Sequence, residues 1–262
     1  MSNPDDTVSS PLPAGPGRAQ LAIRRALVTG GSGEIGAAIC RRLAKDGHPV
    51  YVHYHQNAAA AEALVQEIRG QGGCAQALRF DVTDSAAVRA TLEDVLAAAG
   101  PIQILVNNAG LHDDAVFPGM RAEQWHRVLD TSVDGFFHVT QALLMPMIRT
   151  RWGRIVTLSS ITALTGNRGQ VNYAAAKGAL NAATKSLALE VATRGITVNA
   201  VAPGIIATSM SASAFDAQAI ERLVPMKRAG RPEEVASLVA YLTSDEASYI
   251  SGQVISINGG IA

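Results

Sequence analysis

The 262-residue chain is short of most features that announce a specialised class of protein. It has only two cysteines, Cys40 and Cys74, which excludes a disulfide scaffold. Neither has the spacing of a metal ligand, so they read as reduced, packed thiols, and no metal is expected. Neither charge sign is in excess: 22 Lys and Arg face 22 Asp and Glu. No global field therefore advertises nucleic acid or an anionic membrane, and an anionic partner must meet a local basic patch. No apolar run approaches the roughly 18 residues of a membrane span. Residues 1–20 are rich in Pro, Ser, Gly and Asp, without an apolar core behind basic residues. They read as a disordered leader rather than a signal peptide, and the expected compartment is the cytoplasm.

What is present is a core-forming composition, 48% hydrophobic and 17% charged, laid out in strict alternation. Short apolar runs at 26–28, 49–53, 76–80, 102–106, 154–158, 197–201 and 254–257 read as strands. Helical sequence separates them, beginning with 35–46, 58–69 and 85–98. Continuously apolar strands alternating with helices imply a parallel sheet covered on both faces. The fold expected for 21–262 is a single-domain α/β, Rossmann-type, doubly wound sheet, with ligands at the carboxyl ends of its strands. The stretch 208–230 interrupts the alternation and reads as a helical lid.

Chemistry-bearing residues collect at those strand ends. Gly30, Gly31, Gly33 and Gly36 stand where the first strand meets its helix. Glycine permits a tight turn and brings main-chain N–H groups close to a pyrophosphate at a helix N-terminus. The second strand ends in His53, Tyr54, His55 and Gln56, with no acid to accept from a ribose 2′-hydroxyl. That favours NADP(H) over NAD(H), with Ser32, His53 or His55 near the 2′-phosphate. Tyr173 and Lys177 are four apart, on one face of a helix. An adjacent ammonium is expected to lower the phenol's pKa toward a useful acid–base range. Tyr173 then protonates a developing alkoxide.

These residues resemble the short-chain dehydrogenase/reductase family. Thr29, Gly30 and Gly36 match its Thr-Gly-x-x-x-Gly-x-Gly turn, while Glu34 stands at its middle glycine. Glu34 is expected to point away from the cofactor phosphates. Asn107, Asn108, Ala109 and Gly110 match the family's Asn-Asn-Ala-Gly, and Ser160 lies thirteen residues before Tyr173, as the family's catalytic serine does. The resemblance implies a catalytic set of Ser160, Tyr173 and Lys177, with Ser132 at the position of a relay asparagine as a candidate fourth member. It further implies cofactor contacts from Gly30, Ser32, Gly33, Ile35 and Gly36 in the turn. Asp81 and Val82 would lie beside the adenine, and Asn107, Ala109 and Gly110 beside the ribose. Tyr173 and Lys177 would hold the nicotinamide ribose, and Pro203, Gly204, Ile206 and Thr208 the carboxamide.

Within the family the likeness is greatest to 3-oxoacyl-[acyl-carrier-protein] reductases, carried by Gly166 to Tyr173, Arg194 to Asn199 and Val201 to Gly204. Residues 111–115 and 145–147 look like the reductases encoded with aryl polyene pathways. An acidic carrier protein calls for a basic docking face. Arg149, Arg151 and Arg154 cluster before the serine-bearing strand, and Arg151 and Arg194 fall where related reductases hold the carrier. The family also implies a homotetramer. Two other functions use the same scaffold: dehydrogenation of a sugar, steroid or other secondary alcohol, and non-catalytic nucleotide sensing.

Overall fold

The strands form in order because each short apolar run is bounded by a glycine, a capping residue or a turn. The computed structural model describes residues 24–209, 211 and 215–262; the leader expected over 1–20 lies outside them. The strands are β1 (Arg25–Val28), β2 (Val50–Tyr54), β3 (Ala75–Arg79), β4 (Ile102–Asn107), β5 (Gly153–Leu158), β6 (Ile196–Pro203) and β7 (Val254–Ile257). They form one parallel sheet in the order β3-β2-β1-β4-β5-β6-β7. The sheet order reverses direction between β1 and β4, which opens a crevice above their carboxyl ends.

The helices are α1 (Glu34–Lys45), α2 (Ala58–Gly70), α3 (Ser85–Ala99), α4 (Ala122–Leu129), α5 (Gly135–Thr150), α6 (Thr162–Thr165), α7 (Val171–Val191), α8 (Ala217–Leu223) and α9 (Pro232–Thr243). Side-chain caps set the starts of three of them, with Asp216 accepting from the Ala219 amide ahead of α8. Asn57 accepts from the Ala60 amide ahead of α2, and Asp84 accepts from Ala86 and Ala87 ahead of α3. Sequence-based bounds for α1 to α3 and for the strands fall within two residues of these.

Both faces of the inner sheet are covered, so β5 and β6 are buried along their whole length, while the edge strands β3 and β7 keep exposed positions. Ala26, Val28, Val156 and Val201 pack beneath Ile39 and Leu43 of α1 and Val235 and Val239 of α9. Leu27, Leu105, Ile155 and Val198 pack on the other face against Leu92, Val139, Leu143 and Val191. Cys40 is buried in the first of these layers, where burial pushes its thiol pKa up, and Cys74 is exposed. No helix of the described residues is long and apolar enough to cross a membrane. The expected lid, 208–230, contributes α8; Met210 and residues 212–214 within it lie outside the described residues.

Candidate active site

The glycine turn is held from below by residues on three strands. Gly30 takes φ +62°, and its N–H donates to Nδ1 of His53 at 2.9 Å. The other ring nitrogen of His53 is 3.0 Å from the Phe80 carbonyl, so Nε2 carries the proton and donates. His53 is only 2% exposed, and burial pushes its pKa down to about 4. The expectation that His53 lies near a 2′-phosphate is therefore corrected. Both nitrogens are used inside the protein and the ring is neutral, so it buttresses the turn.

Asn108 secures the turn from the β4 side, donating to the carbonyls of Thr29 at 2.9 Å and Gly30 at 3.0 Å. Thr29 Oγ1 in turn accepts from the Asn108 and Ala109 amides. Gly36 is required by this close approach: a Cβ there would lie 2.3 Å from the Gly30 carbonyl oxygen. The first-turn amides of Glu34, Ile35 and Gly36 meet no acceptor among the described residues, leaving a cradle of donors at a helix N-terminus. The Asn107 side chain turns into the helical layer and donates to Thr140 Oγ1 at 3.1 Å, so Asn108 and not Asn107 does the local anchoring. Val82 is buried against Gly135, and Asp81 accepts from the amide and hydroxyl of Thr83. Exposed His55, at the exit of β2, lies 3.6 Å from Asp81.

The catalytic candidates converge beside this cradle. Ser160 follows the carboxyl end of β5, and Tyr173 and Lys177 lie on the first turns of α7. Asn172 fixes the start of α7 by donating to the carbonyls of Asp113 and Gln124. Ser160 Oγ accepts from the Thr162 amide at 3.1 Å, which leaves its proton free to donate elsewhere. The Ser160 hydroxyl acts on the Tyr173 phenol and lowers its pKa. The adjacent Ser159 instead donates to the Lys177 carbonyl at 3.3 Å.

Lys177 is 4% exposed, and its Nζ donates to the Leu158 carbonyl at 2.7 Å. Burial brings its pKa down to about 8. The Tyr173 phenol is shifted up, first by burial, against a lowering hydrogen bond from Ser160 and with a further rise from Asp114. The expected lowering by Lys177 is absent because Nζ sits 5.6 Å from the ring centroid, is committed to Leu158, and burial dominates. A phenol raised in this way stays protonated at neutral pH, as a proton donor must be.

Ser132 lies on a π-helical turn, Asp130–Asp134, between α4 and α5, an irregularity that re-aims side chains. Its hydroxyl is buried and has no partner. A Cβ at Gly110 would lie 3.7 Å from Ser132 Oγ and 3.1 Å from Lys177 Nζ, so glycine there leaves the two polar groups facing a common space. Asp114 was not foreseen. It accepts from Gln170 at 2.9 Å, contacts His112 at 3.1 Å and acts on the Tyr173 phenol.

On the side expected to face the carboxamide, Ile161 N donates to the Pro203 carbonyl and Gly204 N to that of Ile257. Gly204 packs on Asn258, with a Cβ there 2.8 Å from Asn258 Cα. Ile206 is buried and bridges to Gly230, and the Thr208 amide donates to Ser211 Oγ.

The arginine cluster divides. Arg154 is 3% exposed and serves the interior: it donates to Gly153, Gly195 and Ser244 carbonyls and lies 3.5 Å from Asp245. It is therefore removed from the expected docking face. Arg151, exposed in the left-handed conformation at the end of α5, donates to the Thr193 carbonyl at 3.0 Å, which sets it beside Arg194. Both stand at the amino ends of β5 and β6, about 20 Å of strand away from Ser160.

A phosphate cradle beside a serine–tyrosine–lysine cluster, on a doubly wound sheet, defines a nucleotide-dependent oxidoreductase site. The chain belongs to the short-chain dehydrogenase/reductase family: residues 31–262 match the family described as enoyl-(acyl carrier protein) reductase. It is 44% identical over 236 residues to the 3-oxoacyl-[acyl-carrier-protein] reductase FabG of Aggregatibacter actinomycetemcomitans, spanning 90% of this chain and 98% of the relative. Identity to the FabG of Staphylococcus aureus strain Mu50 is 41% over 240 residues, covering 91% and 98%. Nodulation protein G of Azospirillum brasilense is 42% identical over 238 residues, covering 90% and 97%. The family works with a nicotinamide dinucleotide, and the free first-turn amides of α1 fit its pyrophosphate.

Proposed function

We propose that the chain reduces a 3-oxoacyl-[acyl-carrier-protein] to the 3-hydroxyacyl form with NADPH, in acyl chain synthesis of the fatty-acid or aryl polyene type. The observation that carries this is the convergence of a half-buried, protonated Tyr173 phenol, the Ser160 hydroxyl that acts on it and the Lys177 amine 5.6 Å from the phenol ring. Ser160 donates to the substrate carbonyl oxygen and fixes its position, and Tyr173 delivers the proton to that oxygen as negative charge develops. A bound nicotinamide supplies the hydride. Lys177 holds the nicotinamide ribose hydroxyls, and Ser132 holds a water that returns the proton toward Tyr173.

NADPH is preferred because no acid stands at the exit of β2 to repel a 2′-phosphate, and Ser32 and His55 remain exposed or half-buried around it. Arg151 and Arg194 form the carrier's docking face. Because they lie at the opposite end of the sheet from Ser160, the docked carrier serves the site of a neighbouring copy. Exposed Phe137 and Met145 on α5 and Leu189 on α7 supply apolar surface for assembly, and the expected assembly is a cytoplasmic homotetramer. The test is oxidation of NADPH, with NADH in parallel, by 3-oxoacyl carrier-protein substrates of varied chain length and by a panel of free ketones. Faster turnover of the free ketones would replace the carrier-linked reading with that of a secondary-alcohol dehydrogenase.

A further inference from the structure

Glu34 is the one residue of the turn whose chemistry opposes an anion-binding role, and the structure shows where its charge goes. Its carboxylate accepts from the Ser209 amide at 2.8 and 3.1 Å and from the Ser209 hydroxyl at 3.0 Å. These contacts join residues 175 apart in sequence, the first turn of α1 and the end of the loop that leaves β6. They commit the carboxylate to Ser209 rather than to the amides of that turn.

The same loop is fixed on its other side by main-chain bonds: Gly204 N to Ile257 O, Ala207 N to Gly230 O and Gly230 N to Ile205 O. Beyond Ala207, Ser209 is tied to α1 through Glu34. A glycine at position 34 has no side chain to make this tie.

We propose that Glu34 is a positioning residue that clamps the loop 203–209, and with it Thr208, against the phosphate turn. The two halves of the dinucleotide cradle then keep a fixed separation. The proposal rests on the reading of that loop as the carboxamide-side wall of a nicotinamide site. It makes Glu34 a determinant of how the nicotinamide half is placed, while the adenosine half is bound independently of it.

The test compares Glu34→Ala, which removes the acceptor at an exposed position, with Glu34→Gln, which keeps one acceptor oxygen. Binding of NADPH and of adenosine 2′,5′-bisphosphate, which lacks the nicotinamide half, is measured by titration calorimetry. Turnover is measured with 4-deuterated NADPH. Glu34→Ala is expected to weaken NADPH about tenfold, leave the bisphosphate within about twofold, and raise the isotope effect on kcat as hydride transfer becomes slower. Glu34→Gln recovers part of each loss. Ser209→Ala, which deletes only the hydroxyl contact, moves NADPH binding in the same direction by about two- to threefold.

Tighter binding of both ligands to Glu34→Ala would reduce Glu34 to a repelling charge and overturn the clamp. So would unchanged NADPH binding with an unchanged isotope effect. If the wild-type protein binds no nicotinamide dinucleotide, the functional reading falls along with the clamp. If it binds and the variants match it, the clamp alone falls.

Discussion

Replacing His53 probes how the phosphate turn is supported, and the structure gives the size of the effect. The imidazole is buried and neutral, with its pKa at about 4 against an ordinary 6.5. Between those values the unfolded chain binds a proton that the folded chain does not, so stability rises with pH across the window and is lost on acidification. This group alone then removes about 2 kcal/mol on going from about pH 7.5 to about pH 5. His53→Leu abolishes that dependence. It also leaves the Gly30 N–H and the Phe80 carbonyl unpaired, at about 1–3 kcal/mol each. The variant is therefore less stable at neutral pH but loses less on acidification. Urea unfolding at fixed subunit concentration, followed by circular dichroism at both pH values, measures the two slopes. Equal losses in the wild type and the variant would refute a neutral, doubly bonded His53.

Three further outcomes follow from the site. Lys177, with its pKa at about 8, loses its charge as pH rises through that value, so NADPH binding to the wild type weakens there. A titration of Kd against pH shows the inflection, and Lys177→Met removes it. Ser132→Asn supplies a longer reach into the space shared with Lys177 and leaves turnover unchanged or higher; complete loss in a folded variant contradicts a relay role at position 132. Reversing charge at Arg151 and Arg194 together raises KM for carrier-bound substrate by roughly tenfold and spares a small thioester analogue. Equal damage to both substrates contradicts the docking face.

The sheet was legible because each strand is a short, mostly apolar run that ends at a turn or capping residue, and the inner strands are buried on both faces. The catalytic cluster was legible for a local reason, since Tyr173 and Lys177 are one helical turn apart and Ser160 closes a neighbouring strand. What escaped is what depends on direction or distance. His53 and Arg154 sit on strands, and nothing in their sequence neighbourhood says that the imidazole turns under Gly30 or that the guanidinium is buried among carbonyls. The bond from Glu34 to Ser209 spans most of the chain. The helical spacing implies that Lys177 lowers the Tyr173 phenol, yet the desolvation the phenol meets between the assembled layers raises it.

Tyr173 as the proton donor is the centre of the account. The direct measurement is NADPH oxidation with a 3-oxoacyl carrier-protein substrate by the wild type and by Tyr173→Phe, with NADPH affinity determined for both. The account predicts turnover by the wild type and a loss of about 10²–10⁴-fold in the variant, with cofactor affinity retained. A variant that binds NADPH and turns over at the wild-type rate would contradict it.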